Sequence, residues 1–112
     1  MDSSTFIDHC LSFDEVIELP HFEKTSFRVN KKIFATLNIQ KKQVTFKLSP
    51  VDQSVFCDFD PNRIWAATRA WGKQGWTIFD LTELTDEMLI DALTLSYCNV
   101  APKKLSEKYS RD

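Results

Sequence analysis

Ser26-Phe27-Arg28-Val29-Asn30-Lys31-Lys32-Ile33-Phe34-Ala35-Thr36-Leu37-Asn38-Ile39, followed by Val44-Thr45-Phe46-Lys47-Leu48, is the stretch that decides the fold. Its apolar residues recur at every second position: Phe27 and Val29, then Ile33, Ala35, Leu37 and Ile39, then Val44, Phe46 and Leu48. A period of two belongs to a strand with one face on a core and the other toward water. The spacing therefore predicts three consecutive antiparallel strands, with turns at Asn30-Lys31 and around Gln40-Lys41-Lys42. Asn30 tolerates the positive φ of a tight hairpin. In this register Arg28, Phe34, Thr36 and Lys47 point away from the core.

Outward from the meander the period changes. Phe6, Ile7, Cys10 and Leu11 follow the cap candidates Ser3 and Ser4 at helical spacing, so residues 4–12 read as an amphipathic helix. Residues 13–24, with Pro20, read as an irregular link with a helical turn at Asp14 to Ile17. Ser49-Pro50-Val51-Asp52 starts a second helix: a hydroxyl cap, Pro at the first position and an acid in the first turn. Val51, Val55, Phe56 and Phe59 are its expected buried stripe, and Asp60-Pro61 ends it. Residues 63–70 and 76–81 read as strands separated by the loop Trp71-Gly72-Lys73-Gln74-Gly75. Thr85 caps the clearest helix, with Asp86 and Glu87 at its positive end and Leu84 stapled onto Leu89. Pro102 starts a last turn carrying Leu105 and Tyr109. The order α-β-β-β-α-β-β-α-α predicts an α+β fold, a single two-layer domain over residues 1–112. An antiparallel sheet of about five strands carries helices on one face and leaves the other open.

The chain has 112 residues, 43% of them apolar and 27% charged, which suits one domain with a real core. No apolar run approaches the roughly 18 residues of a membrane span, and Met1-Asp2-Ser3-Ser4 does not resemble a secretory signal. The odd, widely spaced Cys10, Cys57 and Cys98 read as buried free thiols in a reducing compartment, so a cytoplasmic location is expected. The net charge of −2 hides a segregation. Residues 1–23 hold six acids and no Lys or Arg, residues 24–73 ten bases against three acids, and residues 74–112 seven acids against four bases. The cations are expected to converge on the sheet and the acids on the helical layer.

Pro20-His21-Phe22, Ser26 to Val29, Lys32 to Thr36, Phe46-Lys47-Leu48, Trp71 to Thr77 and Asn99 to Leu105 together resemble the YjbR/MmcQ family of small bacterial proteins. The similarity runs in order over nearly the whole chain. It departs at Glu23, where a Gly often follows the Phe, and at Asn30, where the hairpin often carries Gly. The resemblance implies a one-domain α+β fold related in shape to secretion-chaperone and CyaY-like domains. It also implies a DNA-binding role assigned on fold grounds, with no enzymatic activity.

Two constellations are candidate sites. Arg28, Lys31, Lys32, Lys47, Arg69 and Lys73 would supply phosphate contacts, each releasing condensed counterions, while Phe34 or Trp71 would stack on bases. The competing reading is a solvated strand face with lysine-guarded turns. His21, Trp71 and Trp76 form a candidate ligand pocket, against which stands a loop whose tryptophans pack back on the core. No catalytic residue, metal site or cofactor is expected. The chain lacks a C-x-x-C or H-x-x-x-H pair, a glycine-rich phosphate loop and a nucleophile elbow, and both of its acidic pairs sit at helix starts. The expected partner is DNA or another nucleic acid, and the alternative is a protein or peptide taken by the open sheet or its edge. No membrane contact is expected, and the chain would be a monomer or weak homo-oligomer.

Overall fold

A computed structural model describes residues 1–109. The elements run α1 (Ser3–Leu11), β1 (Ile17–His21), β2 (Lys24–Val29), β3 (Lys32–Asn38), β4 (Gln43–Lys47), α2 (Pro50–Phe59), β5 (Ile64–Ala66), α3 (Arg69–Lys73), β6 (Trp76–Asp80), α4 (Asp86–Val100) and α5 (Lys103–Ser106), with a closing 3-10 turn. The six strands form one sheet in the order β1-β2-β3-β4-β6-β5, antiparallel at every step. The fold is α+β with an open sheet, and it has one strand more than the sequence pattern indicated.

The extra strand is β1. Four of its five residues are exposed, and it occupies the sheet edge, where Pro20 costs no ladder hydrogen bond. Neither alternation nor β-propensity marks such a strand. Its hairpin to β2 turns through Phe22, which has φ 57° and is 94% exposed. The β2–β3 hairpin closes through Asn30 and Lys31, both at positive φ, between the paired Val29 and Lys32. That is the two-residue turn whose twist matches its strands.

Phe27, Val29, Ala35, Leu37, Val44, Phe46, Leu48 and Phe79 form the sheet side of the core. Phe6 and Cys10 of α1 and Leu89, Ala92, Leu93 and Tyr97 of α4 close it from above. Phe34 belongs here too, contrary to the alternation. Phe27 pairs with Ala35 but Arg28 pairs with Ile33, so β3 holds one extra residue, a β-bulge at Phe34. The bulge reverses the period, burying Phe34 edge-on against Tyr97 with ring centroids 5.4 Å apart. Ile33 is turned to the opposite face.

Two further expectations are corrected. Residues 63–70 carry only the short β5, and residues 69–73 form α3 instead of a strand end and loop. In α2 the stripe Val51, Val55 and Phe59 faces water, with exposures of 71%, 62% and 68%. The helix instead presents Phe56, packed on Phe79, and Gln53 to the sheet. The Gln53 amide donates toward the Gly72 and Trp76 carbonyls and the Thr77 hydroxyl. A helix that turns Gln53 inward cannot also bury the opposite stripe. The caps are as expected at Ser49 and Thr85, whereas Asp2 caps α1 in place of Ser3 or Ser4.

Phe34→Ala is expected to cost about 3–5 kcal/mol in urea denaturation, the range of a buried Phe truncation. Val55→Ser should stay within about 0.5 kcal/mol.

Candidate nucleic-acid interface and cavity

Among the described residues, the face of the sheet turned away from α1 and α4 has no helix over its centre. Strand register arranges its side chains in rows. Arg28, Ile33, Lys47 and Trp76 lie toward the end where the β2–β3 hairpin turns, Ser26, Thr36, Thr45, Ile78 and Trp65 lie across the middle, and Lys24 lies toward the other end. A cavity of about 410 Å³ opens on this face. Ile33, Thr36, Thr45 and Ile78 line its sheet side. Ala67, Thr68 and Trp71 line it from the β5–α3 segment, Trp76 from the start of β6, and His21 and Lys24 from the β1–β2 hairpin. The structure thus brings His21, Trp71 and Trp76 to the wall of one cavity, although they lie on three different elements. The signal missed in the sequence is the threonine set. Thr36 and Thr45 are paired across β3 and β4, and they read as ordinary outward strand residues until the pairing of the two strands places them side by side in the cavity.

The α3 segment is held tightly. A Cβ on Gly72 would meet the Ala67 carbonyl oxygen at 2.1 Å, and one on Gly75, at φ +102°, would meet that of Leu48 at 2.0 Å. Both glycines are therefore required by close backbone approach. Arg69 enters α3 at φ 58°, a left-handed conformation costing about 1 kcal/mol or more for a residue with a Cβ.

The ten cations of segment 24–73 spread along the strand axis, six toward one end and four toward the other, with Asp14, Glu15, Glu18 and Asp52 toward the first of these ends. Arg28, Lys31, Lys32, Lys47, Arg69 and Lys73 all lie at the end of the sheet where β2 turns into β3, β4 leaves for α2, and α3 joins β5 to β6. Asp58, Asp60, Asp80, Glu83, Asp86 and Glu87 lie toward the opposite end, with Lys24, Lys41, Lys42 and Arg63. Among the described residues, Arg63 is the only one of the ten cations of segment 24–73 in an ion pair, 2.9 Å from Glu83 and 3.4 Å from Asp60. Lys47 donates to the Gln74 carbonyl and stands 5.5 Å from the centre of the Trp76 ring, a cation–π distance. The Arg28 Nε donates to the Ser26 hydroxyl at 3.1 Å. Phe34, placed beside these residues by the sequence pattern, is fully buried and presents no ring to a base. Trp71, in contrast, is 62% exposed.

Among the described residues no three His, Cys, Asp or Glu side chains gather to hold a metal ion, and no helix is long and apolar enough to cross a membrane. All three cysteines are free. Burial pushes the thiols of Cys10, Cys57 and Cys98 up, which disfavours the reactive thiolate at neutral pH.

An open antiparallel sheet with helices packed on one side defines a small α+β domain. The YjbR family profile matches residues 11–99, and the chain belongs to that family. Its fold is shared by the Deinococcus radiodurans protein DR2400, a DUF419 domain. The TM-score is 0.81 at 18% identity, over 96% of this chain and 87% of that one. A protein from Pseudomonas syringae is also similar, with a TM-score of 0.66 at 16% identity, over 86% of this chain and 96% of that one. No curated protein matches the sequence.

Cys10 is expected to resist iodoacetamide at pH 8 in the folded protein and to label only in denaturant, read by mass spectrometry of tryptic peptides.

Proposed function

We propose that the chain is a non-enzymatic nucleic-acid-binding domain. In this reading Arg28, Lys31, Lys32, Lys47, Arg69 and Lys73 take phosphates, and Trp71 stacks on an unpaired base. The observation that carries the proposal is the gathering of these cations at one end of the sheet, in no ion pair among the described residues, beside an exposed indole. Unpaired cations on one surface are what counterion release requires, and an indole offers every base a stacking face. Free cysteines suit a reducing compartment such as the cytoplasm.

A second reading has its own observation. β1 is a sheet edge whose Ile17 and Leu19 are 51% and 40% exposed, a template for an added peptide strand. Such binding would be indifferent to DNA and nearly flat with salt.

The test is fluorescence anisotropy with a labelled single-stranded oligonucleotide across a salt series. Binding should weaken steeply with salt, at a log–log slope of about 0.7 per phosphate contact. The double substitution Lys31→Glu/Lys32→Glu should weaken it at least tenfold at about 50 mM salt and flatten the slope by roughly 1.4. Absence of binding at low salt would end the proposal.

A further inference from the structure

The cavity differs from the rest of the protein in how its polar groups are satisfied. Elsewhere, buried hydroxyls are engaged: Ser26 donates to the Leu19 carbonyl, Thr77 to that of Gly75 and Ser96 to that of Leu93. In the cavity, Thr36, Thr45 and Thr68 make no side-chain hydrogen bond within the described residues, and Thr68 precedes α3 without capping it. Thr36 is only 7% exposed, yet among the described residues no buried side-chain oxygen or nitrogen is sealed off without a partner. Its hydroxyl therefore opens into the cavity. The His21 imidazole, the Lys24 ammonium and the indole N–H groups of Trp71 and Trp76 are likewise without a hydrogen-bond partner in the chain. Neither indole packs against another aromatic ring among the described residues.

A wall of this composition specifies its ligand. Ile33, Ile78, Ala67 and the indole faces suit a flat apolar surface, while the polar groups ring it. Lys24 and both indoles can only donate, whereas the threonines and His21 can do either, so donors outnumber obligate acceptors. Among the described residues no carboxylate lines the cavity, and Lys24 is its one charged residue. The volume lies at the lower end of the roughly 300–1,000 Å³ range of small-molecule sites. A planar heterocycle rich in carbonyl acceptors and attached to an anion fits each of these properties.

We propose that this cavity takes a single unpaired oxo-nucleobase, thymine or uracil, held by Thr36, Thr45 and Thr68 between the sheet and Trp71, with the nucleotide's anionic group at Lys24. This deepens the function proposed above and rests on it for the source of the base, which is either a nucleic-acid strand or a free nucleotide. A base leaves a single strand at lower unpairing and unstacking cost than a duplex. Binding should therefore favour single strands, and oligo-dT over oligo-dA.

The experiment uses the intact chain with two sets of probes. Thymidine 5′-monophosphate should quench tryptophan emission saturably. Inorganic phosphate and ribose 5-phosphate should not. Thr36→Val, close in shape and without the hydroxyl, should weaken the nucleotide about fivefold, the scale of one hydrogen bond. Trp71→Ala should weaken it about tenfold or more, the scale of one stacked base, and Val55→Ser on the helical side should leave it unchanged. If oligonucleotides bind with a salt dependence while the mononucleotide neither binds nor competes, and Thr36→Val leaves oligo-dT affinity intact, the cavity proposal is overturned and the phosphate-binding reading stands. If the mononucleotide binds and Thr36→Val weakens it while no oligonucleotide binds at low salt, the cavity stands as a free-nucleotide site and the nucleic-acid reading falls. Equal quenching by phosphate alone would remove the base from the site and overturn the proposal.

Discussion

One extra residue in β3 sets the geometry on which the rest depends. With regular pairing, Phe34 would face the open side of the sheet and Ile33 the core. The bulge inserts Phe34 beside Ala35 on the core side, against Tyr97 of α4, and turns Ile33 outward. A bulge also bends and twists its strand. The bare face thereby exchanges an aromatic ring for an isoleucine, while the core gains a large side chain between β3 and α4. Removing the bulge would expose Phe34 and bury Ile33 in a site shaped for a ring. The core and the candidate site are thus two sides of one backbone irregularity.

The second organising feature is electrostatic. Six of the ten cations of segment 24–73 lie toward one end of the sheet. The connections at one end of the sheet are rich in Lys and Arg, and those at the other end supply the acidic starts of α4 and the carboxylates around Arg63. The acidic first turn of α4 is stabilised by the helix dipole and holds the N-terminal ammonium 3.4 Å from Asp86. The basic end has no comparable internal use. Among the described residues its six cations form no ion pair, although Asp14, Glu15, Glu18 and Asp52 lie toward the same end, so they remain available to an anionic partner.

The legibility of this chain from its sequence follows the same physics. Alternation revealed β2 and β4 because both run without interruption, and a hydroxyl followed by Pro or acids located the starts of α2 and α4. The pattern failed at Phe34, because a bulge changes the period without changing composition. At β1, an edge strand with Pro20 and four exposed residues carries no periodic signal. The failure at α3 has another source: a five-residue helix with Gly72 inside it reads as a loop, and its reason for being helical is tertiary. In α2, hydrophobicity pointed to Val51, Val55 and Phe59, whereas the backbone carbonyls around Gly72 and Trp76 required Gln53. For the site, His21, Trp71 and Trp76 were visible as unusual residues near one another in the pattern. The threonines were invisible because each is unremarkable alone, and only the register across β3 and β4 assembles them.

The chain has two glycines, and both sit between Trp71 and Trp76. Gly72 lets α3 settle on the Ala67 carbonyl, and Gly75 lets β6 begin against Leu48, where the Leu48 amide donates to the Gly75 carbonyl at 3.0 Å. Gln53 reaches across from α2 to the same segment, donating to the Gly72 carbonyl at 3.0 Å. The tryptophan wall is therefore fixed by backbone contacts on both sides and does not swing as a free loop would. A preformed wall of this kind spends little conformational entropy when a ligand enters. Lys31 and Lys32 are the opposite case: exposed ammonium groups on flexible stems at a hairpin tip, effective at a distance and weak in geometry. On the proposed reading this gives the two parts separate tasks. The hairpin cations raise the local concentration of a polyanion, and the rigid, hydroxyl-lined cavity distinguishes one flat group from another. Neither could do the other's work, because long-range attraction carries no shape and a rigid cavity exerts no reach.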